Sequence, residues 1–333
     1  MTAADPVRWA IIGPGRIAHK FADALTAVPD ARLVAVLGRD ADRTAAFAQR
    51  WGARPAAALE PLLADGGVDA VYIATPHSAH AQPAAAALRA GKAVLCEKPL
   101  VPNAAQAREL VALSRQHGVL LMEALWTRFL PGLARVRGWL QAGAIGRVRT
   151  LQSSFCFASA YQPDSRLFSP ALAGGALLDI GIYNLSLSRW VLAQGGEPTV
   201  VAFHVRGDLA PTGVDQRVHG QLIFEGGEVA QWVCALDGQA TNDLHILGTQ
   251  GSITVHAPFW HVPRVSLHRA GQAAETHETP CRHNGFEPQI EEAQRCLRAG
   301  LIESPGIPHA ETLAVLELID AMRLRLGVRY PFE

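Results

Sequence analysis

Lysine is nearly missing from this chain. Of its 30 lysine and arginine residues only three, Lys20, Lys92 and Lys98, are lysine. Arginine serves wherever a generic positive charge suffices, so a retained lysine marks a place for an amine. A guanidinium keeps its proton at any working pH, whereas a partly desolvated ammonium can lower its own pKa or that of a neighbouring hydroxyl. A solvated lysine after a strand is the plainer reading of Lys98, and composition alone leaves both open. Cysteine is sparse too: Cys96, Cys156, Cys234, Cys281 and Cys296 form no CxxC pair and no His/Cys cluster at zinc spacing. That argues against a disulfide framework and a metal centre, and points to reduced thiols and a cytoplasmic location. No apolar run reaches the roughly 20 residues of a membrane span. Residues 1–8 lack the basic segment and long apolar core of a secretion signal. Formal net charge is zero, with arginines interspersed among acids, so neither nucleic acid nor an anionic membrane is an expected partner.

What is present is an ordinary globular balance, 49% apolar and 18% charged, over 333 residues. This is long enough for two domains. From about residue 9 to 122, short apolar runs alternate with Ala-rich amphipathic stretches, the rhythm of βαβ units around a parallel sheet. The pattern predicts strands at 9–12, 32–37, 70–73, 93–96 and 119–122. Helices are expected at 17–27, 43–51, 57–64, 82–90 and 103–116, with Asp42 and Asn103 as N-caps. After Trp126 the texture changes to longer alternating segments, at 147–158, 200–208, 217–224, 228–236, 243–247 and 252–256, separated by glycine turns. Helices are expected there at 131–141, 175–192, 287–299 and 310–326. The expected fold is α/β: a doubly wound Rossmann domain over 1–124, then an α+β domain over 125–333 with a large, open, mostly antiparallel sheet.

Gly13-Pro14-Gly15-Arg16-Ile17-Ala18 follows the first strand and opens the first helix. A GxGxxA match is weak alone, but in this strand-turn-helix context it predicts a dinucleotide site, with the pyrophosphate on backbone N–H groups at the helix N-terminus. Gly13, Gly15, Arg16 and Ile17 are its candidates. The second strand ends in Leu37-Gly38-Arg39-Asp40, without the acid that usually accepts from the NAD ribose 2′-hydroxyl. Arg39 and Arg43 are placed to pair with a 2′-phosphate, so NADP is expected ahead of NAD. The alternative has both arginines solvated and Asp40 reaching the ribose. Thr75, His77 and His80, after the third strand, and Glu97 with Lys98, after the fourth, share that sheet edge and are further cofactor-lining candidates. Either histidine could instead serve its own loop.

In the second half, Gly174-Gly175-Ala176-Leu177-Leu178-Asp179 leads a helix on which Asp179 and Tyr183, four residues apart, share a face. A phenol with a pKa near 10 needs help to act as a base, and an adjacent Lys98 ammonium would provide it. Lys98, Tyr183 and Asp179 are the catalytic candidates.

These motifs, in this order, resemble the glucose-fructose oxidoreductase/inositol dehydrogenase (Gfo/Idh/MocA) family over essentially the whole chain. The resemblance is closest to its dimeric dihydrodiol dehydrogenase and NADP-dependent D-xylose dehydrogenase branch, through 93–100, 122–129, 174–179 and 303–305. It implies a cis Lys98–Pro99 bond and a homo-oligomer, a dimer or a tetramer, formed through the C-terminal sheet. It also implies a substrate pocket near Trp126, Arg128, Phe155 and Trp260 for a sugar, polyol or cyclic diol. Many of the wider family use His where this chain has Tyr183, and the dihydrodiol branch uses Tyr. The turn 283–287 departs from the branch's pattern. The implied activity is hydride transfer between NADP and a secondary alcohol or anomeric carbon. Two alternatives stand beside it: an NAD(P) oxidoreductase of another polyol or keto-sugar, and an NADP-sensing regulator without catalysis.

Overall fold

The computed structural model describes residues 5–196 and 198–333. The chain divides into two compact units: Met1–Trp126 with Arg282–Leu316, and Thr127–Cys281 with Glu317–Glu333. The first break, after Trp126, lies two residues beyond the expected boundary at 124/125. Residues 282–316, expected within the C-terminal domain, belong to the first unit instead. Their anchors are long-range: Asn284 Nδ2 donates to the Lys20 carbonyl at 2.9 Å, and His283 Nε2 lies 2.8 Å from Asp23 Oδ2.

The first unit is built on β1 (Val7–Ile12), α1 (Arg16–Thr26), β2 (Ala31–Leu37), α2 (Ala41–Trp51), β3 (Arg54–Pro55), α3 (Leu59–Ala64), β4 (Ala70–Ile73), α4 (Ala81–Arg89), β5 (Ala93–Glu97), α5 (Ala104–His117) and β6 (Leu121–Ala124). The strands run parallel in the order β3-β2-β1-β4-β5-β6. β4 and β5 are buried throughout, as expected of strands covered on both faces. The order reverses between β1 and β4, so their carboxyl ends border the crevice where open α/β sheets bind ligands.

Three local expectations change. Asp40, not Asp42, caps α2: its backbone is extended and its carboxylate accepts from Arg43 N at 2.9 Å, so the helix begins earlier. Asn103 does cap α5, through Gln106 N. The last strand lies two residues later than 119–122, because Gly118 in the left-handed region and the Val119 N–H to Ser114 carbonyl bond first close α5. β3 is two residues long, too short to leave a periodic trace.

The second unit carries α6 (Pro131–Gln141), β7 (Val148–Cys156), α7 (Ile182–Leu192), β8 (Val200–Leu209), β9 (Asp215–Phe224), β10 (Val229–Ala235), β11 (Leu244–Gly248), β12 (Gly251–Val255), β13 (Arg264–Arg269) and β14 (Glu275–Glu278). Its eight strands lie in the order β14-β13-β12-β11-β7-β10-β9-β8, antiparallel except for β7 with β10. β13 and β14 are additions to the expected strands. β14, ETHE, has no apolar residue, and β13, RVSLHR, carries only the short alternation of Val265 and Leu267. α7 packs on β7 and β10, with Asn184 Nδ2 donating to Ser153 Oγ at 2.8 Å. The stretch Pro170–Leu192 is long and apolar enough to cross a membrane, but 89% of its apolar window is buried in the fold; its apolarity is that of a core helix. α8 (Glu287–Arg298) and α9 (His309–Leu326) complete the elements, the boundary between units falling inside α9.

Candidate active site

Gly13 adopts φ +97°, and a Cβ there would lie 2.8 Å from the Ala74 carbonyl group and from Thr75 N. Only glycine lets the turn after β1 approach the end of β4 this closely. At Gly15, the N-cap of α1, a Cβ would meet no atom within 4 Å. No side chain caps α1, and its first turn holds no acid, which leaves its N–H groups open to solvent or a ligand. Arg16 and Ile17 are exposed on that turn. Arg39 and Arg43 are exposed beside the end of β2, and among the described residues no acidic side chain pairs with either guanidinium. These features fit a dinucleotide: a close-approach turn, an uncapped helix start and two unpaired arginines.

The Glu97-Lys98-Pro99-Leu100 turn is held from three sides. The Tyr72 hydroxyl donates to buried Glu97. Glu123, in β6, accepts from Leu100 N at 2.9 Å through one oxygen and from the Thr312 hydroxyl at 2.9 Å through the other. His80 Nδ1 lies 2.9 Å from the Pro99 carbonyl oxygen and 3.2 Å from that of Leu100, while its Nε2 lies 2.9 Å from the Thr75 carbonyl. The Lys98–Pro99 bond is cis. Burial pushes the Glu97 carboxyl upward, opposed by the Tyr72 hydroxyl and by the Lys98 and Lys20 charges. At His80 two nitrogens facing carbonyls favour the charged ring, but complete burial outweighs them and, with the Lys98 charge, lowers its pKa. His80 is therefore a clamp between the Thr75 loop and the Lys98 turn, not a group exposed to a ligand. His77 is buried beside it, ring centroids 5.9 Å apart. Thr75 donates its hydroxyl to the Ala79 carbonyl at 3.0 Å.

Trp126 is not part of an open wall. The Lys20 ammonium lies 4.0 Å from its ring centroid and 4.4 Å from that of Phe286. The departing turn at 283–287 is thus what delivers Phe286 to α1. All three lysines prove to be placed: the third, Lys92, donates to the Asp65 and Val68 carbonyls at 2.9 and 2.8 Å.

In the second unit, Tyr183 is 6% exposed and its ring centroid lies 5.5 Å from that of Phe155, which stacks in parallel on Trp260 at 3.4 Å. These three expected residues form one aromatic cluster. Arg128 is turned to another use: its Nη1 donates to the Ser186 carbonyl and hydroxyl, both at 3.0 Å, tying it to the helix that bears Tyr183. Asp179 is buried and accepts from Arg166 Nη1 at 2.9 Å. It lies in a π-helical turn, Leu177–Gly181, which leads into α7; single π turns often mark functional segments. That turn starts on Asp215, whose carboxylate accepts from Leu177 N at 2.6 Å. Burial pushes the Asp215 carboxyl up to about 6.

Sequence reasoning missed Lys20, Tyr72, Glu123, Arg166 and Asp215. Two left a signal: Lys20 in the scarcity of lysine, and Glu123 as a lone charge within the apolar run 119–125.

Comparison with known proteins defines the class first. Residues 7–125 match the family model described as an oxidoreductase family with an NAD-binding Rossmann fold, and residues 133–254 match the GFO/IDH/MocA C-terminal domain. The chain belongs to this family and is an NAD(P)-dependent oxidoreductase. Among individual proteins, it is 33% identical over 338 residues to trans-1,2-dihydrobenzene-1,2-diol dehydrogenase of Mus musculus, covering 98% of both chains. To the Homo sapiens enzyme of that name it is 34% identical, again over 98% of each. A 3-ketoreductase from Actinomadura kijaniata, solved with NADP and TDP-benzene, superposes with a TM-score of 0.84 at 31% identity, over 96% of this chain and 98% of that one.

Proposed function

We propose that this chain is an NADP(H)-dependent dehydrogenase of sugars or cyclic diols. NADP, when bound, supplies the hydride acceptor on the nicotinamide ring. Gly13, Gly15 and Arg16 receive the pyrophosphate, and Arg39 with Arg43 reads the 2′-phosphate. Tyr183 takes the substrate hydroxyl proton as hydride leaves the same carbon. Lys98 holds the reacting oxygen and supplies the charge that lets the phenol act as a base. Asp179 orients Lys98 or binds a second substrate hydroxyl, and Phe155 and Trp260 offer flat apolar surface to a ring substrate.

The observation carrying this reading is the rigid Lys98 turn. Tyr72, His80 and Glu123 fix it at the carboxyl end of β5, on the sheet edge that also carries the Gly13 turn. The dihydrodiol dehydrogenase relatives and the NADP-bound ketoreductase support the substrate class and the nucleotide.

The test is absorbance at the nicotinamide band with a panel of aldoses, polyols and trans-dihydrodiols. Turnover with NADP is expected, and Lys98→Met or Tyr183→Phe should each lower kcat by roughly 10²- to 10⁴-fold while NADPH binding persists. Near-normal kcat in either variant rejects the roles; NADPH binding without turnover on any substrate favours a regulator.

A homo-oligomer through the second sheet belongs to the same reading. Opposite α7, His245, Gln152, Gln231, Gln221 and His204 form a polar row across five strands, with Gln152 donating to Gln231 at 3.0 Å. They line a shallow cleft of 600 Å³. Sedimentation velocity should show at least a dimer, reduced to monomer by Gln231→Glu with Gln152→Glu.

A further inference from the structure

The end of β2, which lacks an acid, is tightly enclosed. A Cβ built on Gly38 would lie 2.5 Å from Thr44 Oγ1 and 2.7 Å from both Cγ and Cδ of Pro14. Neither neighbour is free to retreat. Pro14 is buried in the Gly13-Pro14-Gly15 turn, and its ring locks the φ angle that aims it. Thr44 is 3% exposed, and its hydroxyl donates to the Asp40 carbonyl at 2.6 Å, in the same turn where Asp40 caps α2. Position 38 is thus closed from the glycine turn on one side and from the first turn of α2 on the other. The next acid, Asp40, is already engaged with Arg43 N.

We propose that Pro14 and Thr44 set nucleotide selectivity by exclusion: together they leave room at position 38 only for a residue without a side chain. No carboxylate can then be placed there to accept from a ribose 2′-hydroxyl, and recognition falls to Arg39 and Arg43, which suit a 2′-phosphate. The inference rests on the reading that this sheet edge takes NADP(H). It adds that the lack of an acid at the end of β2 is imposed by the packing of Pro14 and Thr44, and not by the identity of residue 38 alone. Selectivity is then a property of three positions, 14, 38 and 44, and changing position 38 alone does not convert it.

The experiment is fluorescence titration of NADPH and of NADH on the purified full chain, with thermal melting alongside, for Gly38→Asp in two backgrounds: the native one and Pro14→Ala/Thr44→Ala. In the native background Gly38→Asp should bind both nucleotides at least about tenfold more weakly and melt lower. In the relieved background the same substitution should move the NADH-to-NADPH affinity ratio toward NADH by at least about tenfold, a coupling only neighbouring sites give. If Gly38→Asp does not fold, Gly38→Ala reads the same contact: lower melting and weaker binding in the native background, both restored in the relieved one. An equal shift in both backgrounds, or a switch to NADH by Gly38→Asp alone with unchanged melting, overturns the proposal. Failure of the underlying reading looks different: the parent protein would bind NADH at least as tightly as NADPH, and Arg39→Ala would leave NADPH affinity unchanged.

Discussion

Two glycine-led helix starts, one in each unit, end differently. At the start of α1, no side chain caps the N-terminus, and the first turn has no acid. At the start of the helix bearing Tyr183, Gly175 at φ +123° brings the backbone against Asp215, whose carboxylate caps Leu177 N. Both N-termini need a negative partner, because unsatisfied N–H groups and the helix dipole demand one. The second finds it inside the chain and so serves as a fixed mount for Asp179 and Tyr183. The first has no side-chain cap and stays open to solvent or a ligand. Glycines before a helix therefore signal a close approach; what approaches is decided by the surrounding fold.

The largest effects should come from closing the glycine contacts themselves. Gly13→Ala sets a Cβ 2.8 Å from Ala74 and Thr75 at φ +97°, so urea unfolding should show a loss of about 2–4 kcal/mol from overpacking and backbone strain, with NADPH binding lost. Gly175→Ala sets a Cβ 2.4 Å from Asp215 Oδ1. It should destabilise by a similar amount and lower kcat, yet leave NADPH affinity near normal, because the filled start is not the nucleotide's.

A smaller effect separates the two starts by pH. The Asp215 carboxyl sits at about 6 in the fold against 3.8 as a free group, so the folded state holds this proton more tightly than the unfolded one. Stability from this group is full below about pH 4 and is lost as pH rises through about 6, by up to roughly 3 kcal/mol. Asp215→Asn should remove that slope from the stability profile; an unchanged difference between pH 4 and 7 would show that the carboxylate is better solvated than its burial implies. The smallest stability change belongs to Gly15→Ala. A Cβ there meets nothing within 4 Å, so melting should stay within about 1 kcal/mol of the parent, while NADPH binds about tenfold more weakly because the methyl stands where the pyrophosphate approaches. Equal losses of stability and affinity would break the contrast between the two turns.

The parallel sheet was legible because fully buried strands write themselves as short apolar runs, and the glycine turn because its context of strand and helix is local. Phe155 and Trp260 were expected through resemblance to a family and Tyr183 from its place four residues after Asp179; their grouping was not. Asp215 and Arg166 were not legible. Asp215 lies 38 residues beyond the amide it caps, and Arg166 sits 13 residues before Asp179 in a segment without regular periodicity. The same holds for 282–316, whose attachments to α1 span 260 and 264 positions. Arg128 was expected in the pocket through the same resemblance, and its Nη1 is taken up by Ser186.

By itself the sequence determined the Rossmann half, the dinucleotide turn and the candidacy of Lys98 and Tyr183, because these depend on periodicity and residue chemistry within a few positions. Only the tertiary structure decided which helix start is capped from within the chain. It alone showed that Trp126 and Arg128 are already partnered by Lys20 and Ser186, and that position 38 has no room for an acid. Those outcomes depend on which distant atoms arrive within a few ångströms, and no local pattern in the chain records that distance.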